Sequence, residues 1–294
     1  MADIKILGVP MDLGAGRRGV DMGPSALRLA KIAQSLEGLG HKVSDLGNVE
    51  VPIFETSADK QKLPYAEVIA KTCKNAYEIL KNLDDDSFPL VLGGDHSIAM
   101  GSVAGVASKK RTGLLWIDAH SDVNTPETSP SGNIHGMPLS HLLGFGDKRL
   151  LDIWGGKAVI NPKDVIFIGL RSVDAPERQF IRDNNLKVYT MKEIDKRGMA
   201  EIAEEAINYL SNLDALHVSF DADGLDPSIA PGVGTPVRGG LNYREAHLLM
   251  ELLADAEIVT SLDIVEVNPI LDVKNKTAEL MVEMLASLLG KEIL

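Results

Sequence analysis

Cysteine is nearly absent: Cys73 is the only one among 294 residues. An internal disulfide is therefore excluded, and the cytoplasm is the expected compartment. Cys73 shares a helical stripe with Tyr65, Ile69, Ala76, Tyr77 and Leu80, which makes it a core thiol rather than a nucleophile. No run approaches the roughly 18 apolar residues of a membrane span. The opening Met1-Ala2-Asp3-Ile4-Lys5 lacks the basic-then-apolar order of a signal peptide. Basic charge is also scarce, with 30 Lys and Arg against 42 Asp and Glu, for a net charge of −12. That sign argues against nucleic acid or an anionic membrane as partner, and it is compatible with a cationic substrate. Linkers, low-complexity tracts and internal repeats are missing too, so a single domain over 1–294 is expected.

What the chain does have is alternation. Apolar runs at 4–9, 42–46, 88–92, 113–117, 164–169, 186–189, 215–220 and 258–265 alternate with helix-like stretches. Those stretches fall at 25–39, 65–83, 99–108, 176–184, 199–213, 243–254 and 276–289. Near-continuous apolar strands joined by helical crossovers predict an eight-stranded, mostly parallel sheet covered on both faces, a three-layer α/β/α fold. Two long loops, 124–138 and 227–241, are rich in Ser, Thr, Gly and Pro, and loops of that length are commonly functional.

The chemistry sits where the predicted strands end. Asp118, His120 and Asp122 occupy alternate positions after the run ending at Ile117, and an extended backbone would turn all three to one side. Alone, that pattern equally describes a solvated strand face. Three further strand ends repeat the chemistry, however: Asp95 and His96 after Leu92, Asp221 and Asp223 after Phe220, and Glu266 after Val265. In a parallel α/β sheet, ligands bind outside the carboxyl ends of the strands. His96, Asp118, His120, Asp122, Asp221 and Asp223 therefore form a candidate metal set with Glu266 nearby. Two imidazoles and four carboxylates exceed the needs of one tetrahedral zinc and suit two ions sharing a water. Oxygen-rich, mixed imidazole ligation favours Mn²⁺, with zinc or cobalt able to compete in vitro.

Among the other histidines, His217 falls within a strand run and reads as a hydrogen-bonded core residue. His41, His141 and His247 have no acidic cluster beside them. His135 differs, because its polar loop starts just beyond the metal cluster and its pKa range suits a proton carrier. Gly14-Ala15-Gly16-Arg17-Arg18-Gly19 fits the dinucleotide-binding pattern, but four residues separate it from the first strand. The next helix is expected to open at Pro24 rather than at Gly19, so this loop reads as a polar rim of the site.

The chain resembles the arginase family of Mn²⁺-dependent ureohydrolases. The resemblance runs from Gly8-Val9-Pro10 and Met22-Gly23-Pro24 to Glu266-Val267-Asn268-Pro269. Its centre is Gly93-Gly94-Asp95-His96-Ser97, Asp118-Ala119-His120-Ser121-Asp122 and Ser219-Phe220-Asp221-Ala222-Asp223-Gly224. The resemblance implies a single α/β domain and two Mn²⁺ per subunit. One ion would be held by His96, Asp118, Asp122 and Asp221, the other by Asp118, His120, Asp221 and Asp223. It implies hydrolysis of L-arginine to L-ornithine and urea, with Glu266 orienting the guanidinium, Asp122 donating a proton and His135 shuttling it. Asn124, Ser131 and Asn133 match residues that hold the substrate α-carboxylate. Asp174 and Glu177 match residues that hold its α-amino group, and Thr235 is a further pocket candidate. A homotrimer or homohexamer is implied as well. Agmatinases and other guanidino hydrolases share the metal residues, and an agmatine enzyme would leave Ser131 and Asn133 idle.

Overall fold

The computed structural model describes residues 1–53, 63 and 65–292. Among the described residues, eight strands form one sheet: β1 (Asp3–Val9), β2 (Lys42–Asn48), β3 (Ser87–Gly93), β4 (Thr112–Ile117), β5 (Val165–Leu170), β6 (Lys187–Thr190), β7 (Ala215–Asp221) and β8 (Val259–Val265). Their order is β2-β1-β3-β8-β7-β4-β5-β6, and every pairing is parallel. β4, β5 and β7 are buried along their whole length, which is why they read as unbroken apolar runs. The edge strand β2 is largely exposed and charged.

Successive side chains enter opposite layers. Leu115 and Ile117 join the core on one face of the sheet with Ile166, Val218 and Leu262, whereas Leu114 and Trp116 join the other with Val91, Val165 and Phe167. Helices cover both faces, as the three-layer expectation required. After β3 the chain skips two positions to lay down β4, and β7 and β8 later return to fill the gap. The strands whose ends carry the candidate ligands, β3, β8, β7 and β4, are thus immediate neighbours at the centre of the sheet.

Most of the expected helices form, but one is broken and short helices outside the expected stretches appear at Pro138–Leu142, Lys148–Leu151 and Met191–Arg197. The stretch 25–39 is broken into Gly23–Leu29 and Ile32–Gly38, because Lys31 takes a left-handed conformation (φ 64°). A helix the reading did not include, Met191–Arg197, follows β6 without any intervening turn. Its signal was a capping box, in which the Thr190 side chain and Glu193 each satisfy the other's backbone N–H. Among the described residues, no helix is long and apolar enough to cross a membrane.

Candidate metal centre

Each functional side chain is delivered by a turn that its own sequence closes. After β3, the Asp95 carboxylate accepts the Ser97 N–H at 3.0 Å and caps the single turn that presents His96. Gly94 packs so tightly on the loop after β1 that a Cβ there would lie 1.8 Å from the Met11 carbonyl oxygen. After β4 the extended backbone does not persist. The strand ends at Ile117, Asp118 accepts the His120 N–H at 2.7 Å, and Asp122 is left-handed (φ 51°). The triplet therefore converges through a folded loop, not through alternation along a strand. After β7, Asp221 accepts the Asp223 N–H at 2.7 Å and closes an equivalent turn. Glu266, after β8, is left-handed as well (φ 63°). Two non-glycine residues in that region at one site are the kind of strain that surrounding packing must hold in place.

The result is two adjoining groups of donors. His96 Nδ1 lies 3.2 Å from Asp118 Oδ2, 3.1 Å from Asp122 Oδ2 and 3.1 Å from Asp221 Oδ2. His120 Nδ1 lies 3.1 Å from Asp223 Oδ2 and 3.5 Å from Asp118 Oδ1. Asp118 thus divides its two oxygens between two imidazoles; His96, Asp118 and Asp122 have the spacing of a metal-binding cluster, as do Asp118, His120 and Asp223, and Asp221 lies beside the first. All the carboxylates are buried.

The donor chemistry fits cations. Ser219 Oγ donates to Asp263 at 2.6 Å, so it accepts at 2.9 Å from His96 Nε2–H. With Nε2 so engaged, a neutral ring turns its Nδ1 lone pair toward three carboxylates, an arrangement that calls for a cation between them; without one, burial opposes charge on the ring but those carboxylates override it and raise the His96 pKa. Without a cation the cluster must take up protons. Burial and the charge of Asp118 push Asp122 up to about 7, and burial with neighbouring carboxylates raises Asp221 and Asp223. Burial opposes charge on His120, but Asp223 and Asp118 override it and push the ring up to about 12. Divalent ions among these oxygens would remove both the repulsion and the need for those protons.

Above the cluster lies a cleft of about 710 Å³, lined by Asn124, Ser131, Asn133, His135, Asp174, Glu177 and Thr235 together with His120, Asp122, Asp221 and Asp223. An adjoining lobe of about 980 Å³ reaches Glu266 and Arg17. Every pocket residue read from the sequence is therefore brought to one place. The 124–138 loop is closed on itself by the Asn124 N–H on the Gly136 carbonyl, and the Leu139 N–H just past its end ties it to the Asp122 carbonyl. Asp174 and Glu177 also have a structural task, since they form the capping box of the helix Ala175–Asp183. The Ser121 hydroxyl donates to Glu177 at 2.9 Å, and the Asn124 amide donates to Asp174 at 3.0 Å.

The Arginase family model matches residues 2–290. The chain is 52% identical over 292 residues to an arginase from Bacillus subtilis strain 168, covering 99% of each chain. It is also 52% identical over 299 residues to an arginase from Bacillus caldovelox, covering 100% of both. The native structure of the Bacillus caldovelox arginase superposes with a TM-score of 0.97 at 51% identity, covering 100% of each chain. The chain belongs to the arginase family.

In this arginase-family chain, several site residues escaped the sequence reading. Trp116 stacks on the His96 ring (centroids 4.0 Å apart, planes 6° apart) and donates its indole N–H to Asp118 at 2.9 Å. Asp263, a charged residue inside an apolar strand, accepts from Ser219, Ser102 and His217. That isolated acid in the run 258–265 was the available signal, because a fully buried carboxylate requires partners. The core reading of His217 holds: it bonds Ser261 at 2.8 Å and Asp263 at 3.1 Å. The glycine-rich loop lines and braces the cleft. Gly14 N–H donates to Asp95 at 2.8 Å, and the Gly14 carbonyl accepts the His135 N–H at 3.1 Å. Gly19 opens only a single 3-10 turn, Val20–Met22, and the α-helix starts later, at Gly23 with Pro24 in the first turn.

Proposed function

We propose that this chain hydrolyses L-arginine to L-ornithine and urea, using two Mn²⁺ per subunit. The observation that carries the reading is Asp118, whose two oxygens serve two imidazole-carboxylate groups at the floor of one polar cleft. His96, Asp118, Asp122 and Asp221 would hold one ion, and Asp118, His120, Asp221 and Asp223 the other. When bound, the ions supply a water whose pKa is lowered toward neutrality, the nucleophile that the delocalised guanidinium carbon requires.

The rest of the work belongs to side chains. Glu266 accepts guanidinium N–H bonds in a buried setting, where a carboxylate–guanidinium pair is strong and directional. Asp122 would accept the proton that the attacking water gives up and pass it to the ornithine nitrogen, which cannot leave as an anion. His135 exchanges protons with solvent. Burial disfavours its charge, but the Glu266 carboxylate beside it wins and pushes the ring up to about 9. Asn124, Ser131 and Asn133 hold the α-carboxylate, Asp174 and Glu177 the α-amino group, and Thr235 completes the wall. The same reading makes the protein a cytoplasmic homotrimer or homohexamer.

A substrate panel tests the assignment. With Mn²⁺ supplied, kcat/KM for arginine should exceed that for agmatine by orders of magnitude. A preference for agmatine would refute the carboxylate roles of Ser131 and Asn133.

A further inference from the structure

Arg171 lies outside the donor cluster, yet its guanidinium is spent entirely on the backbone that carries part of it. One nitrogen, Nη2, donates to the Asp223 carbonyl at 2.6 Å, the Val237 carbonyl at 2.8 Å and the Leu225 carbonyl at 3.2 Å. Nη1 reaches the Gly224 and Gly169 carbonyls, each at 3.2 Å, and Nε also reaches Val237 at 3.2 Å. The fork thus joins the end of β5, the turn after β7 and the far part of the 227–241 loop. The main chain of Arg171 adds a fourth segment, donating its N–H to the Ala119 carbonyl in the loop after β4 at 3.0 Å.

Two of these acceptors bracket a side-chain contact at the site. The Thr235 hydroxyl donates to Asp223 Oδ2 at 2.8 Å, and Asp223 Oδ2 is the oxygen that faces His120 Nδ1 at 3.1 Å. Arg171 holds the backbone of Asp223 on one side of that contact and Val237, two residues past Thr235, on the other. Space for the fork is made by Gly240, where a Cβ would stand 2.6 Å from Nη2. A lysine could supply the charge but not the planar, many-donor fork.

We propose that Arg171 is a positioning residue for one metal ion only, the one served by His120 and Asp223, acting by fixing the Thr235–Asp223 contact. His96 and Asp122, the ligands proper to the other ion, are not reached by the fork, and the shared Asp221 meets the held turn only through the Asp223 N–H, so the other ion should feel the fork far less. The proposal rests on the two-ion reading of the site, and its test needs no catalytic turnover. Supporting residues around ligands commonly change metal affinity about 10- to 100-fold.

The test is calorimetric titration of the metal-free protein with Mn²⁺, comparing the full-length chain with Arg171→Lys and with His120→Asn. Arg171→Lys should weaken, by about tenfold or more, the same binding step that His120→Asn removes, leaving the other step within about twofold. Equal weakening of both steps, or no change in either, overturns the proposal. Should Arg171→Lys not fold, Thr235→Val decides, since it deletes the hydroxyl that the fork aligns. It must weaken that same step, and an unselective effect or none is again contrary. An unsubstituted protein binding fewer than two ions would instead sink the two-ion reading itself, a failure seen before any variant is compared.

Discussion

His135 Nδ1 and Glu266 Oε1 meet at 2.9 Å across 131 residues of sequence, in a corner of the cleft where the loop after β4 reaches the end of β8. The same carboxylate oxygen accepts the His96 N–H at 2.9 Å, so one acid ties the loop histidine to the turn that presents a candidate ligand. His135 therefore lines the cleft with the Glu266 carboxylate as its charge partner. Replacing it by Asn should lower kcat about 10²-fold or more, the usual scale of a lost acid–base group, while bound metal stays unchanged. Elemental analysis beside steady-state kinetics checks this, and loss of metal would recast His135 as a ligand.

Asp118 and Asp122 should separate cleanly. Asp118 faces both imidazoles, at 3.2 Å and 3.5 Å, whereas Asp122 faces His96 alone, at 3.1 Å. After dialysis against Mn²⁺-free buffer, Asp118→Asn should retain neither ion, and Asp122→Asn should retain one. The reverse order would mean that Asp118 is not the shared ligand.

Ser131 and Asn133 line the cleft, where the Asn133 N–H donates to the Ser131 hydroxyl at 3.2 Å. Truncating either to Ala should cost about 1.5–3 kcal/mol, the worth of a hydrogen bond to a charged group, on arginine kcat/KM. The value for agmatine, which has no carboxylate, should barely move. Parallel losses on both substrates would count against the assignment.

His141 offers a test away from the chemistry. The ring is buried, its Nδ1–H donates to the Met137 carbonyl at 2.8 Å, and its Nε2 accepts the Asp147 N–H at 2.9 Å, so the neutral form fits. Burial lowers its pKa below the ordinary 6.5. Between the folded and unfolded values the unfolded chain binds more protons, so this contribution to stability is present above 6.5 and is lost as pH falls below it. Thermal unfolding of His141→Gln should vary less between pH 7.5 and 5.5 than that of the unsubstituted chain. Identical slopes would contradict a neutral buried His141.

The legible part of this molecule was the part set by short-range pattern. Strands buried on both faces announce themselves as apolar runs; Asp118, Asp221 and Glu266 were found because each follows such a run directly, and His96 because it lies in the short polar turn just past one. The geometry of the triplet was not legible. Alternation suggested a strand, but the turn that Asp118 closes with His120 and the left-handed Asp122 carry the loop back over the sheet. Nor was the support beneath His96, because Ser219 and Asp263 come to it from positions 219 and 263, and only the strand order β3-β8-β7 puts them in contact. The break at Lys31 was invisible for a local reason, since nothing in the surrounding apolar spacing demands a left-handed residue there.

The central claim is that catalysis depends on two ions held by this carboxylate–imidazole cluster. The most direct measurement is urea release from L-arginine by protein stripped of metal and then titrated with Mn²⁺. The account predicts negligible release from the stripped protein and recovery that saturates at two Mn²⁺ per chain. Undiminished urea release from the metal-free protein would contradict it.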